Sequence, residues 1–261
     1  MKSLVLCADD FGLSAYINEG ILQLLEQQRL SAVSCMTELP DWHASAKALL
    51  PYQQQAAIGL HFNLTESTRA VPLGKLMLQA LTGRIDRDWI KAELNRQLDD
   101  FESTLGVAPD FIDGHQHVHI FSGVREVLAE VLVQRYPVQR PWVRQVNPAL
   151  QGHDARFKAL VLRMMGRGFS AQMQHQATPL TRSFAGLYSL DSHADFPGLL
   201  QGWIEQMPSG GLIMCHPGAT AGTSDAMAQT RQRELDYLCS DQFRQWLQDQ
   251  SVNLTSKPTL V

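Results

Sequence analysis

Three histidines, His115, His117 and His119, occupy alternate positions of the stretch FIDGHQHVH, directly after the carboxylate of Asp113. Together they are a third of the nine histidines in the chain. Imidazoles at this density beside a carboxylate point to metal binding or proton transfer. The same residue types recur elsewhere: Asp9 and Asp10 in ADDFG, His61 in GLHFNLT and His216 in MCHPG. Each has a plainer reading when taken singly. A histidine after a strand is commonly a hydrogen-bonded structural residue, and an Asp-Asp pair before Phe-Gly is commonly a turn or a helix cap. Their coincidence at the ends of four apolar runs shifts the weight to a metal site. Two neutral imidazoles and one carboxylate suit Zn²⁺, with other divalent ions also accommodated. Three protein ligands leave positions for water and substrate, which describes a hydrolytic site rather than a structural one. On an extended segment, residues two apart share a face, so the triplet would point one way, with neighbours roughly 6.5–7 Å apart. One ion can take two of these imidazoles but not all three, and spacing alone does not choose between His115 and His117.

The elements that must position these groups follow from the hydrophobic pattern. SLVLCA (3–8), SAVSCMT (31–37), AAIGLHFNL (56–64), DFIDGH (110–115), WVRQV (142–146), SFAGLY (183–188) and GLIMCH (211–216) read as strands, with SVNLTS as a last short one. Between them, Ser14 caps a helix over 14–28 that carries Ile17, Ile21, Leu24 and Leu25 on one face. Asp88 caps a helix over 88–105 ended by Gly106. Ser122 caps the next, and a helix over 226–248 closes the chain. This β-α alternation predicts a parallel sheet, open or closed, with right-handed crossovers. No linker or repeat interrupts it, so 1–261 reads as a single domain. In parallel α/β folds the carboxyl ends of the strands share one face, and Asp9/Asp10, His61, Asp113/His115 and His216 all sit at such ends. The stretch 147–180 is the least regular. Phe157, Leu160, Val161, Met164 and Met165 repeat there at helical spacing among Arg156, Lys158, Arg163 and Arg167. It reads first as an ordinary amphipathic helix, and second as a lid or as the contact of a homodimer.

Composition narrows the classes further. With 44% apolar and 18% charged residues, the 261-residue chain can build a sizeable core. A net charge of −4, with no Lys/Arg cluster standing out in the sequence, argues against nucleic acid or an anionic membrane as partner. The apolar run after Met1 is about six residues and ends in two aspartates, short of the roughly 7–15 of a signal h-region. No run approaches the ~20 apolar residues of a membrane span, so no membrane insertion is expected. Cys7, Cys35, Cys215 and Cys239 form no C-x-x-C pair and read as free thiols in a reducing cytoplasm.

The motifs ADDFGLS (8–14), GLHFNLT (59–65), DGHQHVH (113–119) and MCHPG (214–218) resemble those of the YdjC-like carbohydrate deacetylases. That family includes diacetylchitobiose deacetylases and hopanoid-associated deacetylases. The resemblance covers residues 3 to about 240, with 147–180 not diagnostic. It implies a TIM-like, irregular (β/α) barrel and a metal-dependent enzyme that removes an acetyl group from an acetylated amino sugar or oligosaccharide. Position by position, it implies Asp10, His61 and His115 as ligands of one divalent ion, Zn²⁺ first and Mg²⁺ or another ion second. It implies Asp9 as catalytic base and His216 as general acid. His117 and His119 are left for supporting or structural duty. Arg144 is a candidate to orient Asp9, and Asp113 to hold a site histidine. Trp42, Phe62, Trp142, Phe184 and Tyr188 are candidates for an apolar face under a sugar ring, or else core. Three alternatives stand beside this reading. They are a metal amidohydrolase acting on a non-sugar amide, a Cys215–His216 nucleophile pair, and a sugar-binding relative that has lost catalysis.

Overall fold

The computed structural model describes residues 1–219 and 225–261. Among the described residues, eight strands run in chain order: β1 (Lys2–Phe11), β2 (Ala32–Cys35), β3 (Ala57–Phe62), β4 (Phe111–Gly114), β5 (Trp142–Val143), β6 (Phe184–Ala185), β7 (Gly211–Cys215) and β8 (Val252–Leu254). They form one sheet in the order β5-β4-β3-β2-β1-β7-β6, and β8 also pairs with the start of β1. Every strand pair is parallel. The two ends of this path meet through one segment. Leu180 bridges to Val143 beside β5, and a few residues on, Phe184 pairs with Leu212 of β7. The sheet thus curls into an irregular α/β barrel of the TIM-like kind.

The strands are apolar on both faces because each is covered twice, by barrel interior and by outer helices. Leu4, Val5, Leu6, Cys7 and Ala8 of β1 are all buried. The helix Ala15–Glu26 buries Ile17, Ile21, Leu24 and Leu25 as its spacing predicts. The helix Arg87–Leu105 buries Ile90, Leu94, Leu98, Phe101 and Leu105 and ends at Gly106, whose φ of 74° closes the last turn.

Several boundaries differ from expectation, each for a local reason. Asp86, not Asp88, caps the helix Arg87–Leu105, because its carboxylate accepts from the Trp89 N–H at 3.0 Å. Ser122 caps nothing; Gly123 precedes the helix Val124–Arg135, and its N–H donates to the Glu126 carboxylate at 2.5 Å. Ser14 holds the cap position of its helix without a side-chain capping bond. The expected helix over 226–248 is two, Ala228–Cys239 and Asp241–Asp249. Ser240 is extended between them, and its hydroxyl accepts from the Phe243 N–H, which starts the second. The strands at 142–146 and 183–188 shrink to two residues each, where the barrel closes through single bridges rather than a full ladder. The helix Arg156–Met165 exists, but its facing departs from an ordinary amphipathic helix. It buries Ala159, Leu162 and Met165 and leaves Phe157, Leu160 and Met164 exposed.

Candidate active site

The carboxyl ends of β1, β3, β4 and β7 bring the expected residues into one cavity of about 680 Å³, which Asp9, Asp10, His61, His115, His117 and His216 help to line. Two neighbouring aspartates on a regular strand would face opposite ways. Here the register between β1 and β2 slips between Ala8 and Phe11, and Asp10 adopts a φ of 70°. That left-handed residue turns the backbone so that both carboxylates reach the cavity. Gly12 completes the turn at a φ of 96°, and a β-carbon there would collide with the Met36 carbonyl oxygen.

Asp10 Oδ1 lies 3.4 Å from His61 Nε2 and 3.1 Å from His115 Nδ1. All three ligand atoms fall within 4.8 Å of one another. Ligands about 2.0–2.2 Å from a tetrahedral Zn²⁺ stand roughly 3.3–3.6 Å apart, close to the two separations that Asp10 Oδ1 makes with the histidines. The surrounding bonds also fit. His61 and Asp113 are direct partners in the β3–β4 register, so their side chains share a side. Asp113 Oδ1 lies 2.6 Å from His61 Nδ1, and the Ser34 hydroxyl bonds to both. Nδ1 is thereby held and Nε2 is turned to the cavity, the arrangement that orients a ligating histidine. Burial opposes a charged His61, but Asp113, Asp9 and Asp10 outweigh it and push the imidazole up to about 10. A cation taking Nε2 must therefore displace a proton.

The second oxygen of Asp10 is held by Arg231, whose Nη2 donates at 2.7 Å. Arg231, on the helix Ala228–Cys239, also donates to Asp225 at 2.9 Å and to the His216 carbonyl at 3.4 Å. Burial would raise the Asp10 carboxyl, but Arg231, His115 and His61 hold it well below the usual range. Asp9 is gripped separately. Arg144, fully buried just past β5, donates Nη1 and Nη2 to its two oxygens at 2.7 and 2.6 Å. Arg144 also contacts the Asp113 carboxylate and lies 3.1 Å from the Cys7 sulfur. Burial pushes the Asp9 carboxyl up, and Arg144 more than reverses this, so Asp9 is an anion well below its ordinary pKa. Cys7, Asp9 and Asp113 also converge as a possible ligand group, but the guanidinium of Arg144 touches all three and already supplies their cation.

His216 follows β7, with its backbone N–H donating at 2.5 Å to Glu234, which also accepts from the Tyr188 hydroxyl at 2.5 Å. Burial drives the His216 imidazole down to about 4, against the upward pull of Asp10 and Asp9. Its Nδ1 is buried without a hydrogen-bond partner among the described residues.

The triplet does not share a face. β4 stops at Gly114, and the chain then winds through a helical turn in which Gln116 and His117 have φ of 52° and 61°. Alternation holds only on extended backbone, so the three imidazoles diverge. His115 meets Asp10. His117 lines the cavity against the ring of Phe184. His119 is buried, with Nε2 3.0 Å from the Arg144 carbonyl, so it braces the residue that grips Asp9. Of the aromatic candidates, Tyr188 reaches the cavity, whereas Trp42 and Phe62 are core and Trp142 stacks on Phe111. The Cys215–His216 pair is not a dyad, because the Cys215 thiol points to the Cys7 carbonyl at 3.4 Å and burial pushes it up.

Sequence reasoning missed Arg231, Glu234 and Ser34. One signal was available for the first two. Thr230, Arg231 and Glu234 share the buried face of their helix with Leu235 and Leu238, and a polar group on an otherwise inward face marks a buried partner.

Comparison with known proteins identifies the family and the fold. The family model described as YdjC-like protein matches residues 3–249. A carbohydrate deacetylase of Mus musculus is 30% identical, with 96% of this chain and 92% of the relative covered. A chitooligosaccharide deacetylase of Proteus mirabilis is 30% identical over 51% of this chain and 56% of its own. Among solved structures, an Enterococcus faecalis protein provisionally named for cellobiose-phosphate cleavage superposes with a TM-score of 0.69 at 18% identity, covering 97% of both chains. A peptidoglycan N-acetylglucosamine deacetylase superposes at 0.53 and 14% identity, covering 98% of this chain and 90% of that one. At these identities the two structures speak for the fold alone.

Proposed function

The chain belongs to the YdjC-like family, and on that footing we propose that it is a metal-dependent carbohydrate deacetylase. The reaction is hydrolysis of the acetamido group of an N-acetylated sugar, carried by one domain spanning 1–261. The carrying observation is the convergence of Asp10 Oδ1, His61 Nε2 and His115 Nδ1 beside an Asp9 anion clamped by Arg144. The names of the mouse and Proteus relatives supply the substrate class.

A divalent ion held by Asp10, His61 and His115, Zn²⁺ by the donor set with Mg²⁺ as second choice, would supply Lewis-acid polarisation of the acetyl carbonyl and of a water. The rest of the chemistry falls to side chains. Asp9 is ionised at neutral pH and accepts the proton that the attacking water loses. Arg144 fixes both Asp9 oxygens, so the base meets the water in one orientation. While Asp9 holds the proton lost by the attacking water, His216, neutral at pH 7, takes up a second proton from solvent as negative charge builds beside it, and so becomes the acid. It then delivers that proton to the departing amine nitrogen, which otherwise leaves poorly. Asp113 and Ser34 hold His61, and Arg231 holds Asp10. The four free cysteines support a reducing, cytoplasmic setting.

The test is acetate release and metal content measured on the same preparations. Asp9→Asn keeps the shape but cannot accept a proton, so kcat should fall about 10²–10⁴-fold with metal retained. Asp10→Asn should lose both. Wild-type protein that releases no acetate from N-acetylglucosamine or its β-1,4 oligomers refutes the substrate class. Near-normal kcat in Asp9→Asn removes Asp9 from the mechanism.

A further inference from the structure

We propose that the outer face of the helix Arg156–Met165 is a docking surface for an anionic lipid bilayer. Twelve large apolar side chains are exposed among the described residues. Most are scattered, but Phe157 (80% exposed), Leu160 (57%) and Met164 (45%) lie at i, i+3 and i+7 on this one helix, and form a single outward strip. Leu162 and Met165 of the same helix are buried and line the catalytic cavity, as does Val161 beside the strip. The strip is therefore the outer continuation of the cavity wall. A second cavity-lining helix, Leu73–Leu81, repeats the pattern, with Leu73 and Met77 lining the cavity and Leu78 and Leu81 exposed.

Charge identifies the occupant. Between the exposed Asp154 and Asp191, the first of which faces Lys158, the chain carries Arg156, Lys158, Arg163, Arg167 and Arg182 and no aspartate or glutamate, in a protein of net charge −4. Arg156 and Arg163 are exposed and fall seven residues apart on the helix, alongside the apolar strip, and Arg167 is exposed in the turn that follows it. Lys158 is tied into the rim, with Nζ 3.3 Å from the Tyr188 carbonyl. An apolar strip bordered by arginines suits a surface that is hydrocarbon beneath and anionic above, the geometry of a helix lying in a membrane interface. A second copy of the chain suits it less, because a two-fold contact places the same arginines on both sides. The composition of the whole chain argues against an anionic membrane; the fold collects this basic, apolar segment onto one side of the cavity mouth. No helix of the described residues is long and apolar enough to cross a membrane, so the contact is peripheral. This inference does not depend on the reaction proposed above.

The experiment is co-sedimentation with phosphatidylcholine vesicles, with and without phosphatidylglycerol, at low and high salt. Wild-type protein should bind the mixed vesicles and release at high salt. Each arginine near an anionic surface contributes about fivefold in partitioning, so Arg156→Gln/Arg163→Gln/Arg167→Gln should lose roughly 100-fold. Phe157→Ser/Leu160→Ser should lose at least about tenfold by removing buried apolar area. These positions are exposed, and unchanged thermal melts would confirm that both variants fold. No binding to mixed vesicles at low salt overturns the proposal, as does binding that Phe157→Ser/Leu160→Ser leaves intact. Competition by soluble glycerol phosphate would show a free anion site instead. A wild-type dimer in sedimentation that Phe157→Ser/Leu160→Ser converts to monomer, without vesicle binding, would assign the strip to a second copy.

Discussion

Replacing Arg144 by Met removes one guanidinium and leaves two buried carboxylates facing each other. Arg144 and Asp113 are fully buried and Asp9 is 1% exposed, so water cannot take over. Breaking a buried pair from one side costs about 3–5 kcal/mol, and here the guanidinium bonds both oxygens of Asp9 and also touches Asp113. For a protein of this size each kcal/mol moves Tm by about 2–4 °C, so Arg144→Met should melt roughly 6–20 °C lower at pH 7. The pH dependence separates this from simple packing loss. In the wild type Asp9 is depressed below its unfolded value, so its contribution is complete above about pH 4. It is lost only as pH falls through the lower folded value. Without Arg144, burial dominates and the Asp9 carboxyl rises above its unfolded value. The folded state then binds more protons, and stability falls as pH rises from about 4. The assay is urea denaturation in the presence of chelator at steps from acid to neutral pH. The wild type should gain from Asp9 as pH rises out of the acid range, whereas Arg144→Met should lose ground relative to it across pH 4–7. A constant difference between the two proteins across that window would refute the account of Asp9 as an anion held by Arg144.

Purified protein should contain about one divalent ion per chain, zinc first, measured by mass spectrometry of the digested protein, and chelation should abolish activity until an ion is restored. His61→Ala and His115→Ala should each lose the ion, whereas His117→Ala should keep it; the reverse pattern would move the ligand within the triplet. Because His61 is held up to about 10, binding displaces its proton, so apparent affinity should rise with pH below that value by up to about tenfold per unit. Competition with a chelator of known pH dependence measures this, and a flat profile would exclude His61 Nε2 as the ligand atom.

The sequence by itself determined which residues meet. Short apolar runs ending in Asp-Asp, His, Asp-Gly-His and His are visible one after another. Parallel β-α alternation forces strand ends onto one face, so Asp9, Asp10, His61, His115 and His216 could be assembled from the one-dimensional pattern. Local pattern also gave the helices over 14–28 and 88–105, which the structure sets at Ala15–Glu26 and Arg87–Leu105, because one apolar face and a closing glycine are near-neighbour properties. Tertiary structure decided the rest, since these features depend on partners far away in the chain or on backbone angles that residue type does not specify. The left-handed turn at Asp10 lets adjacent aspartates share a cavity, and the winding after Gly114 separates three histidines that alternation would align. Arg144 stood out in the sequence only as a candidate to orient Asp9 and Arg231 not at all, until the barrel buries each against a carboxylate more than a hundred residues distant. The helix Arg156–Met165 makes the same point on the outside of the barrel. Periodicity shows that its apolar residues share a face, but only the packing of Ala159, Leu162 and Met165 against the core decides that Phe157, Leu160 and Met164 look outward. A helical period fixes the angle between side chains on one helix, and only the neighbouring elements fix which of those angles points at water.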